Sequence, residues 1–369
     1  MKFSLERDTF ARILKRIDSV CSNRGSFAIL NSCMIEARDH SIVVTGTDLD
    51  ITLRTVENAD IIEEGAILIN ARRLLDTVQN QVPGCSIFMT SEGSQVLVEA
   101  GNFRARIPTS DIAEFPQIAD IEAKTTLSMD ALEFKDLIDK TYFSISKDDS
   151  RADFTGAFLT ISENGHIQMV STDGHRLSRA ESLITINGQL PKTFVSGVIV
   201  PRKGLAELAK NLTDGNINID TANNKFIVSI GSTIFHINLI AGQFPDFSKV
   251  IPSQLDHKAI IKREDFQQIL KRASIFTAKA GTIRLTMSMG KLDISTFDAK
   301  SGEMRDFVQA EYEGSGVTAG FNWRYIDEIL SVINNDYVSL EVIDMDSPAV
   351  IRDISTDNYD FIAAYPQAG

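Results

Sequence analysis

Three stretches of the chain repeat one arrangement of apolar and polar positions. They are "KFSLERDTFARILKRI" from Lys2, "TLSMDALEFKDLIDKT" from Thr126 and "AIIKREDFQQILKRAS" from Ala259. Each opens with a short alternating segment, which predicts a strand with one buried face. A polar or acidic start follows, then a phenylalanine (Phe10, Phe134, Phe266) and apolar pairs at helical spacing: Ile13/Leu14, Leu137/Ile138 and Ile269/Leu270. That spacing predicts an amphipathic helix in each place. A second helix recurs in "INARRLLDTVQN" from Ile69, "VPRKGLAELAKNL" from Val200 and "FNWRYIDEILSVI" from Phe321, each preceded and followed by strand-like alternation.

Other features recur in the same order. The hairpins "TGTDLDITLR", "STDGHRLSRA" and "STFDAKSGEM" carry Asp48, Asp173 and Asp298, the same interval of 125 residues twice. Each third closes on an aromatic-proline pair: Phe115-Pro116, Phe244-Pro245 and Tyr365-Pro366. Repeated order of this kind predicts a repeat architecture. The expected fold is α+β, with three similar domains over residues 1–122, 123–253 and 254–369. Each has two helices packed on antiparallel sheet. The connecting stretches near 117–126 and 251–260 are not low-complexity and read as rigid junctions.

Composition is that of a soluble globular protein, with no apolar run near the ~18 residues of a membrane span. The opening "MKFSLERDTF" lacks the apolar core of a signal peptide. The three cysteines have no CxxC spacing and fit reduced thiols, so the expected location is the cytoplasm. The net charge of −13 disfavours nucleic-acid binding in bulk. Its distribution changes that picture. Basic residues concentrate on the helices: Arg7, Arg12, Lys15 and Arg16, then Arg72-Arg73, Arg202-Lys203 and Lys210, then Lys262, Arg263, Lys271 and Arg272. On any one helix these read as a solvated face. Repeated on equivalent helices, they allow one basic surface for a phosphate backbone.

Catalytic signatures are missing. There is no GxxxxGK[ST], GxSxG or HExxH, and the glycines of "GSGVTAG" (314–320) lack dinucleotide-binding spacing. The five histidines show no metal-ligand spacing, so neither metal nor cofactor is expected. Ser171, Asp173 and His175 suggest a triad. Asp-Gly between two strands is first a hairpin turn, however, and no oxyanion hole is in view.

The segments "TDGHRL" (172–177), "VPRKG" (200–204), "FPDFSKVIP" (244–252) and the opening "MKFSLER" resemble the bacterial DNA polymerase III beta subunit family, the DNA sliding clamps, along the whole chain and in the family's order. The resemblance implies two identical chains, head to tail, closing a six-domain ring around duplex DNA with helices at the hole. It implies a non-enzymatic processivity factor. Its partners would be double-stranded DNA, the polymerase III alpha subunit, the clamp loader, and other polymerases or repair proteins that dock through short peptides. The implied peptide pocket comprises Phe154, Thr172, Gly174, His175, Arg176, Leu177, Pro245, Lys249, Val250 and Tyr365. DNA contacts are expected from Arg24, Lys147, Arg151, Arg202 and Lys203. Dimer contacts are expected from Ile107 on "FRARI" (103–107), pairing with the edge near "RASIF" (272–276) through Ile275 and Phe276. Three positions depart from the family. Lys249 stands where arginine is frequent, the tail reads "AAYPQAG" rather than methionine-rich, and Phe154 follows "RAD" where tyrosines occur. The competing readings are a hydrolase built on Asp173 and His175, and a repeat-built adaptor that does not encircle DNA.

Overall fold

The computed structural model describes residues 1–21, 27–118, 126–252, 255–344, 347–354 and 359–363, the last segment and Thr126 by backbone alone. Its helices are α1 (Arg7–Cys21), α2 (Ala71–Gln79), α3 (Ala131–Tyr142), α4 (Lys192–Ser196), α5 (Arg202–Asn211), α6 (Arg263–Ser274) and α7 (Trp323–Val332). Six of them are the pairs expected from the repeat. The short α4 is additional.

The buried stripes are those that the apolar spacing predicts. Phe10, Ile13, Leu14 and Ile17 of α1, Phe134, Leu137 and Ile138 of α3, and Phe266, Ile269 and Leu270 of α6 are all essentially inaccessible to solvent. Each set falls at i, i+3, i+4 intervals, which places it on one face. Truncating any of these phenylalanines to alanine removes a whole ring from a close-packed core, a change costing about 3–5 kcal/mol. The second helices begin under local control. Asn70 Oδ1 accepts from Arg73 N at 2.9 Å and Asn322 Oδ1 from Arg324 N at 3.0 Å, filling donors left open at a helix start. In α5, a Cβ on Gly204 would lie 2.5 Å from Ile237 Cγ2, so glycine there permits the helix to approach its sheet.

The chain forms two compact units. One contains Met1–Leu132, Thr185–Lys192 and Lys203–Leu239; the other contains Glu133–Ile184, Thr193–Arg202 and Ile240–Gly369. The first holds a 14-stranded sheet and the second a 12-stranded sheet. Both sheets run through a junction between repeats. In the first unit, Ile51–Asn58 pairs antiparallel with Thr233–Asn238. In the second, Leu177–Leu183 pairs antiparallel with Tyr359–Ala363. The same rule governs both: the strand after the aspartate turn of one third takes the last strand of the next third.

The 125-residue interval has a physical basis. Asp48 Oδ1 accepts from Asp50 N and Ile51 N, Asp173 Oδ1 from His175 N and Arg176 N, and Asp298 Oδ2 from Lys300 N and Ser301 N. Each aspartate holds its turn by bonding the backbone ahead of it. The second turn residue is Gly174 at φ +87°, but its counterpart Leu49 sits at φ +79° with a side chain half exposed. A left-handed leucine costs about 1–2 kcal/mol. Leu49→Gly is therefore expected to raise the thermal midpoint by a few degrees; an unchanged or lower midpoint would mean that Leu49 makes compensating contacts.

Cys21 and Cys33 are buried, and Cys85 is half-buried. Burial disfavours the thiolate, pushing the Cys33 thiol up to about 12 and raising Cys21 as well. Neither is an activated nucleophile. Among the described residues, no helix is long and apolar enough to cross a membrane.

Candidate functional site

The turn that invites a catalytic reading is a structural device. Strands His166–Thr172 and Leu177–Leu183 pair in register up to Thr172 opposite Leu177. Thr172 Oγ1 accepts from Gly174 N at 3.0 Å and donates to Arg176 O at 2.6 Å, while Asp173 braces the turn from the other side. Ser171 points elsewhere. Its hydroxyl is fully buried, 2.5 Å from both Thr141 O and Ser144 Oγ. The three residues of the supposed triad therefore do not converge.

Instead, the turn forms one wall of a cavity of about 250 Å³ inside the second compact unit. Thr172, Gly174, His175, Arg176 and Leu177 contribute from the hairpin, with Arg151 and Phe154 beside them. A Cβ on Gly174 would stand 3.5 Å from both Arg151 Nη1 and Phe154 Cε2, so glycine keeps this wall low as well as supplying the positive φ. The opposite wall is Pro245, Asp246, Phe247 and Val250, with Pro348 at the side.

Aromatic packing fixes that second wall. Phe244 stacks on Phe158 with ring centres 5.1 Å apart and planes 8° from parallel, and Phe247 meets both rings edge-on at 6.4 Å. Asp246 then caps the one-turn helix Phe247–Lys249 through Ser248 N at 3.2 Å. Hydrogen bonding from Ser248, aided by Lys249, holds the Asp246 carboxyl below the usual carboxylate range. The result is an apolar trough of Phe154, Leu177, Pro245, Phe247 and Val250. Its rim carries an anion, Asp246, and a cation, Arg151, whose guanidinium lies 3.5 Å over the Phe154 ring. Such a trough suits an extended chain with apolar side chains and a few polar anchors.

Eight of the ten expected pocket residues line this cavity. Lys249 does not: its side chain is 81% exposed and turned to Asp246 at 3.1 Å. Tyr365 lies outside the described residues. Asp246, Phe247 and Pro348 were missed. The first two sit inside the quoted "FPDFSKVIP" and could have been read from it. Pro348 comes from a distant part of the chain that only the fold brings near.

The expected DNA residues are divided between the two units. Lys147 is exposed in the second unit. Arg151 lines the trough. Arg202 is half-buried, donating to Ile145 O at 3.2 Å with its guanidinium 4.5 Å over Tyr142. Lys203, in the first unit, is well exposed and pairs with Asp48. Arg24 lies outside the described residues. Several other helix cations are also paired, among them Arg12 with Glu57 and Arg72 with Asp18 and Asp76.

The expected interface residues need correction. Ile107 is 3% exposed, its side chain turned into its own unit, so it cannot be an anchor offered to another chain. Residues 272–274 end α6, so the edge expected near them belongs to another element. Ile275 is 71% exposed, whereas Phe276 packs partly onto the core beneath. The edge beside them is strand Gly302–Glu311, which Arg272 reaches through Asp306 at 2.7 Å.

Three family models match consecutive parts of the chain: the DNA polymerase III beta subunit N-terminal domain over 1–119, its central domain over 128–246 and its C-terminal domain over 248–365. The beta sliding clamp of Pseudomonas aeruginosa is 29% identical over 366 residues, 98% of each chain. That of Chlamydia pneumoniae is 29% identical over 355 residues, 96% of each. Among solved structures, the DNA polymerase III subunit beta of P. aeruginosa superposes with a TM-score of 0.94 at 28% identity over the full length of both chains. A Bartonella birtlesii sliding clamp bound to griselimycin gives 0.92, also at 28% and full coverage.

Proposed function

The chain belongs to the DNA polymerase III beta subunit family, and from that membership we propose that it is a DNA sliding clamp, a ring of two chains that encircles duplex DNA and tethers replication enzymes to it. The single observation that carries the tethering role is the trough between the 172–177 turn and the 245–250 loop, apolar along its floor and charged at its rim. Polymerase subunits, the clamp loader and repair enzymes dock there through short peptides. Burial of aliphatic and aromatic side chains supplies the affinity, at about 25 cal/mol per Å² before ordering costs. Held at the primer end, a polymerase gains effective concentration without any tight bond between ring and DNA. No covalent step is part of this role, and the place of action is the cytoplasm, where the replicated DNA lies. Direct titration of a labelled peptide with a leading glutamine and a trailing Leu-Phe pair tests the trough. Saturable binding that Val250 variants weaken supports it, and binding indifferent to them removes it.

Ring closure follows from the strand rule. Ile51–Asn58 and Leu177–Leu183 each accept the last strand of the next repeat, but among the described residues Gly302–Glu311 has no such partner along residues 302–309. The last strand of the first third, Phe103–Ser110, is paired on one side along 103–108 and on the other only at Thr109 and Ser110. Open edges call for cover. We assign them to each other across two copies, which makes the contact head to tail and lets two chains close. The domains then follow the repeats, 1–122, 123–253 and 254–369.

Lys147, Arg202 and Lys203 contact phosphate in this reading, with Arg24 added from its place in the polar sequence "SNRGS" and Arg151 assigned to the trough instead. The double variant Lys147→Ala/Lys203→Ala is expected to weaken DNA binding equally for unrelated sequences and to reduce the slope of log affinity against log salt by about 2. Filter binding at several salt concentrations measures it. A loss confined to one sequence contradicts the assignment.

A further inference from the structure

Arg176 lines the trough, but its guanidinium is committed elsewhere. Nε donates to Asp173 Oδ2 at 3.1 Å, Nη1 to Glu328, and Nη2 to Phe143 O at 2.8 Å. Its flat face covers the Tyr325 ring at 4.5 Å and approaches that of Phe143 at 5.1 Å. The side chain is 9% exposed. Each of its three nitrogens already has an acceptor, and burial leaves the two remaining N–H donors little access to a peptide. What these contacts join is specific. Asp173 belongs to the trough's turn, Phe143 follows the last residue of α3, and Tyr325 and Glu328 sit one turn apart on α7.

We infer that Arg176 is a positioning residue: it bolts the 173–177 turn to α7, so that a peptide seated against the turn is felt at α7, and the state of α7 sets peptide affinity. This rests on reading the trough as a peptide site. A second joint of the same kind supports it. In the first compact unit, Asp48 of the equivalent turn pairs with Lys203 on α5, the helix equivalent to α7. The charges are reversed, but in both cases a turn of one repeat grips the second helix of the next. Arginine suits the joint at the 173–177 turn because a planar fork can bond three acceptors while stacking on a ring, which lysine cannot. Coupling of this sort is reciprocal.

The chain carries its own reporter. Trp323, its sole tryptophan, opens α7 two residues before Tyr325 and is half-buried. The test uses the full chain and the synthetic glutamine/Leu-Phe peptide, following peptide affinity by a label and Trp323 emission in parallel. Saturating peptide is expected to shift the emission of the unaltered protein. Glu328→Gln removes a charge from a side chain that does not line the trough. It should weaken the peptide about fivefold and suppress the emission shift, with the thermal midpoint little changed. Arg176→Lys should not rescue the loss seen in Arg176→Ala. Adding Glu328→Gln to Arg176→Ala should cost nothing further, as expected for two groups acting through one contact. Unchanged affinity in Glu328→Gln, or no emission shift on saturating the unaltered protein, overturns the joint while leaving the trough reading intact. Failure of the unaltered protein to bind the peptide at all overturns both.

Discussion

The double variant Ile275→Asp/Phe307→Asp is expected to sediment as a single chain at concentrations where the unaltered protein is a dimer. Ile275 is 71% exposed and Phe307 50%, both beside or on the open strand Gly302–Glu311. Two large apolar side chains at one unpaired edge mark a surface that is covered in use. Placing two carboxylates there sets their desolvation against the interface. An unpaired buried charge costs several kcal/mol, enough to abolish association. Neither position belongs to a core, so the circular dichroism spectrum should stay that of a folded protein. Ile107 and Phe276 are poorer choices, because their variants would unsettle the fold as well as the contact. A dimer that persists in the double variant would show that this edge is not the interface.

The second large effect is expected at Val250. It sits on the trough wall across from Leu177 and Phe154, just after the one-turn helix that Asp246 caps. A carboxylate there would lie in the apolar floor that a peptide's leucine and phenylalanine must cover. It would also stand near Asp246, whose carboxyl is held charged by Ser248 and Lys249. Val250→Asp should weaken the peptide about 100-fold, roughly 2.7 kcal/mol, leaving dimer mass and DNA binding unchanged. Val250→Ala should lose far less, since it removes burial without adding charge. A similar loss in both variants would mean that wall shape matters and its apolar character does not.

Much of this organisation was legible in the sequence because it is carried by local patterns. A phenylalanine followed by apolar pairs at helical spacing marks α1, α3 and α6 wherever it occurs, and the recurrence at a fixed interval marks the three turns. Most of the trough was legible for the same reason, since the 172–177 turn and the 244–252 loop are each continuous in sequence. The failures are of another kind. Alternation along "FRARI" does not say which face is inward, and Ile107 faces inward. The "RASIF" segment carries the end of the helical stripe of Phe266, Ile269, Leu270 and Ala273, and the edge beside it is strand Gly302–Glu311, which no local pattern in that segment names. Arg151 looked like a phosphate ligand because it is basic and follows a polar turn. Only the fold shows it lying over Phe154. Arg176 lines the trough, but its three acceptors come from the turn, the residue after α3 and α7, and no local pattern joins those.

Retention on circular DNA tests the clamp account most directly. The protein is loaded with its clamp loader onto nicked circular duplex, separated from free protein by gel filtration, and the DNA is then cut once by a restriction enzyme. The account predicts stable co-elution with the circle at salt concentrations that dissolve ordinary phosphate contacts, and prompt loss once the circle is linear. Equal retention on circular and linear DNA, or equal loss from both, would contradict it.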